Sequence, residues 1–155
     1  MGGSCVAMEI TVRRATTRDV DALLPLVQSY RAFYGQPPDD AGERRFLGKH
    51  LRDRTSTLFF ASGAGIALGF VQLFESWSTV RLAPVLILED LFVEPQFRRR
   101  GIGRSLIDAA LAYARESGAV AMFLETAVDN DRAQEVYERE GWRREVAFLK
   151  YNAPL

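Results

Sequence analysis

The 155-residue chain balances 20 Lys plus Arg against 20 Asp plus Glu, and its length suits one domain around a single core. Zero formal net charge argues against a general nucleic-acid binder, so no direct nucleic-acid partner is expected. Cys5 and His50 are the only cysteine and histidine, which excludes an intramolecular disulfide, a Cys/His metal site and a histidine-based nucleophilic triad.

No apolar run reaches the ~18 residues that span a bilayer, so the expectation is a cytoplasmic protein without a membrane partner. Residues 1–7 read as a loose leader and residues 8–155 as a single domain. Met8–Arg14 alternates Ile10 and Val12 with polar neighbours, a strand pattern. Thr17 or Asp19 caps a helix over Val20–Tyr34 with Val20, Leu23, Leu24, Val27, Tyr30 and Tyr34 on its apolar face; Pro25 is expected to kink it. After the Gly35-Gln36-Pro37-Pro38 break, Asp39 or Asp40 opens a second helix to about Arg52. Thr57–Ser62 and Ile66–Glu75, joined by Gly63-Ala64-Gly65, read as a hairpin. Ser76–Arg81 is expected as a loop carrying Trp77, followed by a central strand over Leu82–Val93. A helix over Gly103–Ser117 stops at Gly118, and Ala119–Glu125 reads as a buried strand. Asn130–Glu140 is a short helix ended by Gly141, and Trp142–Tyr151 is expected to close the chain as a strand. Helix–strand alternation in the second half implies parallel pairing, and the hairpin requires antiparallel pairing. The sum is an α/β fold: a mixed, twisted sheet of about six to seven strands, flanked on both faces by about four helices.

The centre of the chain is LILEDLFVEPQFRRRGIGRSLI, a strand, a loop with three arginines, and a Gly-x-Gly turn opening a helix. The first turn of a helix has N–H groups without intrahelical partners, and the dipole adds partial positive charge there. Glycine lets a ligand approach the backbone, and Arg98, Arg99, Arg100 and Arg104 add charge. This is a site for a phosphate or pyrophosphate. A dinucleotide fold also places Gly-x-Gly at a strand–helix junction, with an acid such as Glu125 about 20 residues on. Leu106 occupies the position of its third glycine, however, and only 30 residues follow Glu125.

The same segment resembles motif A of the GNAT superfamily of N-acetyltransferases, Arg/Gln-x-x-Gly-x-Gly/Ala, filled here by Arg98, Gly101 and Gly103. NDRAQEVYEREGW is similar to the family's motif B through Asn130, Ala133, Tyr137, Gly141 and Trp142. Glu89-Asp90-Leu91-Phe92-Val93 with Asn130–Tyr137 resembles the diamine (polyamine) and small histone-type branch. The resemblance implies acetyl-coenzyme A as donor, an amine acceptor that is a polyamine-like small molecule or a lysine-bearing peptide, and a homodimer, with Val146–Tyr151 offering an edge. It places the pyrophosphate on backbone N–H groups from Arg99 through Gly101, Ile102, Gly103 and Arg104 to Ser105. It also implies a bulge in the preceding strand, after which Leu91, Phe92 and Val93 pair with the pantetheine arm.

Acetyl transfer from a thioester to an amine needs the reactants held together, worth ~7–11 kcal/mol. It also needs an amine deprotonated from a pKa of about 10.4, and a departing thiolate that is stabilised. Tyr137 is the candidate acid. A tyrosine near pKa 10 donating to a thiolate near 8.5 works uphill by about 2 kcal/mol, which favours a late-strengthening hydrogen bond. Glu89 is the candidate base, directly or through water, and Asp90 the candidate for holding a cationic substrate; a structural salt bridge for one of them is the competing reading. Strand alternation sends these neighbours to opposite faces unless a bulge intervenes. Asn130 either caps the helix carrying Tyr137 or bonds the cofactor. Tyr30, Phe33, Tyr34, Trp77 and the acids Asp39, Asp40 and Glu43 are candidates for the acceptor pocket. The lack of an activated nucleophile points to direct attack of the amine. A coenzyme A-binding module without catalysis is the alternative.

Overall fold

In the computed structural model, which describes residues 8–155, the chain divides into two compact units, one running as far as Leu124 and the other Glu125–Leu155. The leader expected over residues 1–7 lies outside the described residues. The first unit is built outward from the hairpin of β2 (Thr57–Gly63) and β3 (Ile66–Ser78). Gly63 pairs with Ile66, leaving Ala64 and Gly65 as a two-residue turn with φ of 50° and 78°. Positive φ at both positions matches the twist of the flanking strands, and a glycine at the second removes part of the cost. β1 (Thr11–Arg14) adds to β2, and β4 (Ala83–Val93) adds to β3, all antiparallel; β5 (Met122–Leu124) lies parallel to β4. The sheet order is β1-β2-β3-β4-β5.

Period-2 alternation assigns the helices to opposite faces. Leu58 and Phe60 of β2, with Phe70 and Phe92, form one core with Leu23, Leu24 and Leu26 of α1 (Val20–Phe33) and Leu47 of α2 (Asp40–Asp53). Phe59, between Leu58 and Phe60, meets Tyr113 of α3 (Ile102–Glu116) at 6.0 Å on the other face, where Ile102, Leu106, Ile107, Ala110 and Ala114 are buried. Each such aliphatic side chain contributes roughly 1.5–3 kcal/mol by leaving water. A capping box starts the α1 region: Thr16 N–H donates to Asp19 Oδ2 at 2.8 Å, and the Arg18 N–H donates to Thr16 Oγ1 at 3.3 Å. Asp39 caps α2 by accepting from the Gly42 N–H at 2.9 Å. Helix α1 runs unbroken through Pro25, which is exposed.

Four expectations need correction. The sheet has five strands, not six to seven. Ser76–Ser78 extends β3 instead of forming a loop, so Trp77 pairs with Pro84 across a longer β3–β4 hairpin. β5 is three residues long and only partly buried, because it is the edge strand and pairs with β4 alone. The second unit contains α4 (Asp131–Arg139) and, among the described residues, no strand. The apolar residues expected to form a closing strand there, Val146, Phe148, Leu149 and Tyr151, are exposed, and the unit supplies no partner edge for them.

Candidate functional site

The site begins with a fault in β4. Leu73 of β3 pairs with Leu88 and Gln72 with Asp90, so Glu89 is an extra residue without a partner. Before it, Ile87 pairs with Phe74, whose ring meets His50 of α2 at 5.4 Å, so the odd-numbered residues face α1 and α2. After it, Phe92 meets Tyr30 of α1 at 5.5 Å, so the even-numbered residues do. The bulge thus reverses the parity of β4 and turns Asp90 toward α1; regular alternation would have turned it toward α3. Glu89 is exposed beside it.

The same strand has a free edge beyond the bulge. Parallel pairing with β5 covers only Leu86–Leu88. Leu91, Phe92 and Val93 therefore have β3 on one side and, among the described residues, no strand on the other. The N–H and C=O groups that β3 leaves over, apart from the Val93 carbonyl held by Arg98, suit an extended ligand rich in amides.

Beyond β4 the chain turns through Pro95–Phe97 into the arginine loop. Arg98 Nε donates to the Val93 carbonyl at 2.9 Å and its guanidinium lies over the Phe92 ring, which ties the loop back to the strand end. Arg100 lies over Phe97. Arg99 has φ of 63°, a left-handed conformation costing a non-glycine residue about 1–2 kcal/mol. Gly101, with φ of 75°, is the N-cap of α3 and provides no side-chain cap. The N–H groups of Ile102 and Gly103 open the helix without a side-chain cap, and the Ser105 N–H donates to the Gly101 carbonyl at 3.0 Å. A Cβ at Gly101 would meet nothing within 4 Å, and one at Gly103 would only touch Val93 Cγ2 at 4.0 Å. This open, amide-lined helix start is fit for an anion.

Between α1, α2 and the sheet lies a cavity of about 360 Å³. Tyr30, Asp39, Glu43 and Asp90 line it, as do Arg31, Phe46, Phe70 and Gln72. Tyr30 and Asp90 both line it, close enough to shift each other's titration. Burial raises the Asp90 pKa above its ordinary value; the Tyr30 hydrogen bond opposes this and the neighbouring Glu89 charge adds to it. Burial likewise raises the Tyr30 hydroxyl, with Asp90 contributing. Glu43 is buried, and burial pushes its carboxyl up. Hydrogen bonds from Arg31, Gln28 and the Asp39 N–H outweigh that, so the pKa lies below the ordinary value. Gln72 donates to Ser56 Oγ at 2.8 Å.

Of the other pocket candidates, Tyr34 stands one ring away, edge-on to Tyr30 at 5.1 Å, and is largely exposed, as is Phe33. Trp77 projects from β3 with Nε1 donating to Glu75 at 3.2 Å, and does not line the cavity. Arg31, Phe46, Phe70 and Gln72 escaped the sequence reading. Arg31 and Glu43 lie twelve residues apart on different helices, a pairing that no local spacing marks.

In the second unit, Asn130 Oδ1 accepts from the Ala133 N–H at 3.3 Å and so caps α4. Tyr137 and Trp142 rings lie 5.9 Å apart, and Gly141, at φ 88°, lets the Trp142 N–H donate to the Tyr137 carbonyl at 3.0 Å. Arg144 bridges Gln134 at 2.8 Å and Glu138 at 2.9 Å.

Known proteins share this architecture and sequence. A model of the Acetyltransferase (GNAT) family matches residues 23–142. The uncharacterized N-acetyltransferase YhfO of Bacillus subtilis is 37% identical over 142 residues, covering 92% of this chain and 95% of that protein. An aminoglycoside N(6')-acetyltransferase type 1 of Salmonella typhimurium is 31% identical over 121 residues, covering 74% and 80%. A crystal structure of a probable acetyltransferase superposes with a TM-score of 0.87 at 38% identity, covering 94% and 97%. The bulged strand, the amide-lined helix start and the family match across both units agree: the chain belongs to the GNAT family and is an acetyl-CoA-dependent N-acetyltransferase.

Proposed function

We propose that the chain transfers acetyl from acetyl-CoA directly to a primary amine carried by a polyamine-like small molecule or a protein lysine. The observation that carries this reading is the continuity of β4 and α3. One strand offers a free amide edge at Leu91, Phe92 and Val93, and its loop delivers the uncapped N–H groups of α3. The donor's pyrophosphate suits the N–H groups from Arg99 to Gly103, whereas the Ser105 N–H, expected there from the sequence, is taken by the Gly101 carbonyl; Arg98, Arg99, Arg100 and Arg104 add charge, and Arg98 also holds the loop to Val93. The amide-rich pantetheine arm suits the strand edge. Asn130 and Ala133 are assigned to the cofactor through motif B alone.

Bound acetyl-CoA supplies a thioester whose carbonyl carbon accepts the amine nitrogen as the C–S bond breaks. Asp90, facing the cavity, holds the cationic acceptor there. Glu89 removes the ammonium proton, directly or through water. Tyr137 is assigned the hydrogen bond to the departing sulfur, on the strength of its motif. Tyr34 and Trp77 are left as outer contacts for a long acceptor. A homodimer in the cytoplasm completes the reading; no described helix is long and apolar enough to cross a membrane.

The test is thiol release from acetyl-CoA with a panel of polyamines, histone-tail peptides, aminoglycosides and amino acids. Turnover of a polyamine or lysine peptide above the rest is the expected result; turnover confined to aminoglycosides would move the acceptor class to that of the Salmonella relative. Tyr137→Phe should lower kcat by about 10- to 1000-fold, and unchanged kcat would remove the residue from the acid role.

A further inference from the structure

The connection between α1 and α2, residues 34–39, runs past the cavity, which Asp39 lines. Pro37 and Pro38 have no N–H, so the middle of this connection has no backbone donor with which to fix its own shape. The groups on either side converge on Arg31, in the last turn of α1. The Arg31 carbonyl accepts from the Tyr34 N–H at 3.1 Å and from the Gln36 N–H at 2.9 Å. Its Nη1 donates to the Pro37 carbonyl at 2.9 Å and to Glu43 Oε1. Glu43 Oε1 in turn accepts from the Asp39 N–H at 3.3 Å, and Gln28 of α1 also holds this carboxylate. One side chain thus ties the middle of the connection to its far end.

The Glu43 side chain is 3% exposed and that of Arg31 30%, so water screens the pair little. A guanidinium donating to a carboxylate makes a charge-assisted bond, roughly twice as strong as a neutral one. Removing the guanidinium would leave a buried carboxylate without its cation. Arg44 offers a contrast: it also links the two helices, through Asp21 and Asp40, but in the open and without touching residues 34–39.

Resting on the reading above that the acceptor enters this cavity, we propose that Arg31 is a positioning residue for the acceptor. It holds the α1–α2 connection, and with it the wall at Asp39, in place opposite Asp90 before any acceptor arrives. A wall already in place has no ordering cost at the moment of binding, so acceptor affinity depends on Arg31. Donor affinity does not: the contacts proposed for coenzyme A lie on β4 and α3 and involve none of these bonds. Arg31 acts through the backbone it holds and takes no part in the bond changes of acetyl transfer.

The experiment compares wild type, Arg31→Met, Arg31→Lys and Arg44→Met by thiol release from acetyl-CoA with spermidine, a histone-tail peptide and kanamycin. With each amine that the wild type uses, Arg31→Met should raise the acceptor KM by about 10- to 100-fold and change kcat little. The KM for acetyl-CoA and the calorimetric Kd for CoA should stay within about twofold of wild type, a split that a general loss of stability would not produce. Arg31→Lys, which keeps a cation beside Glu43 on a shorter stem, should raise the acceptor KM by less. Arg44→Met should leave it unchanged. Amide exchange, measured without any amine, should quicken at Asp39 in Arg31→Met and not in Arg44→Met. An unchanged acceptor KM in Arg31→Met, or equal rises for donor and acceptor, would overturn the proposal while leaving acetyl transfer intact. The same acceptor loss in Arg44→Met would also overturn it, because helix docking in general would then be the cause. Wild-type thiol release with none of the amines would instead defeat the acetyl-transfer reading and the proposal together. Should Arg31→Met fold poorly, Arg31→Lys decides in its place by the same split between donor and acceptor.

Discussion

Asp19 shows how a single charge joins two elements. Its carboxylate accepts from Arg13 of β1 at 2.6 and 3.0 Å and from the Thr16 N–H ahead of α1. The Arg13 hydrogen bonds hold the Asp19 pKa down at about 2, with Thr16 contributing and burial opposing. The folded value lies below the unfolded 3.8, so the contribution is fully present above about pH 4 and is lost as pH falls through about 2. Arg13 is half exposed, which limits the pair to about 1–2 kcal/mol. Urea unfolding at pH 6 and pH 2.5 should therefore show Asp19→Asn destabilised by that amount at pH 6 and by only about a third of it at pH 2.5. A constant difference would mean that the charge plays no part. Asp19 was readable at the helix start, since Ser, Thr and Asp compete with the backbone locally, but the capping threonine is Thr16 and not the Thr17 expected from the sequence. Arg13 as the partner was not, because the contact depends on how β1 is placed.

At the scale of elements, one glycine on β3 answers to the protein and one on α3 to the ligand. A Cβ on Gly69 would lie 2.7 Å from the Phe92 carbonyl oxygen and 3.2 Å from Val93 Cα, backbone atoms that cannot yield cheaply. Gly69→Ala should cost about 1–3 kcal/mol and shift the strand edge that holds the donor, lowering both the Tm and the affinity for CoA. Gly103 differs: a Cβ there meets only Val93 Cγ2 at 4.0 Å, and the residue sits inside a helix where alanine is favoured. Gly103→Ala should raise stability by about 0.5–1 kcal/mol yet weaken CoA binding, which calorimetry on the two variants would separate. Gain of stability with unchanged affinity would show that the ligand does not approach this backbone. The Gly-x-Gly turn and the helix after it were legible because their chemistry is local. The bulge at Glu89 was not: it is a mismatch between two strands, and the one-residue change of parity that delivers Asp90 to the cavity leaves no mark in the composition of β4. The closing strand failed for a related reason, since alternation over Val146–Tyr151 states only that a strand would suit those residues and not that an edge awaits them.

Across the whole molecule, stability and donor binding must be linked, because the proposed contacts exist only in the folded chain. With CoA at 100 times its Kd the folded state gains about 2.7 kcal/mol. At about 2–4 °C per kcal/mol for a chain of this size, the Tm should rise by roughly 5–11 °C. The origin of that gain is more telling than its size. If the pyrophosphate rests on α3 and the pantetheine on β4, amide hydrogen exchange should slow at two separated stretches, Leu91–Val93 and Ile102–Arg104. The strand stretch lies beyond the β5 pairing, and the helix stretch is the first turn of α3, where no side chain caps the backbone. Leu86–Leu88, already sealed between β3 and β5, should change little. Dephospho-CoA retains the pyrophosphate and pantetheine and should protect both stretches; pantetheine alone should protect only the strand. Adenosine, which has neither group, should protect none. Protection spread evenly over the sheet, or an equal Tm rise with adenosine, would place the donor elsewhere on the fold.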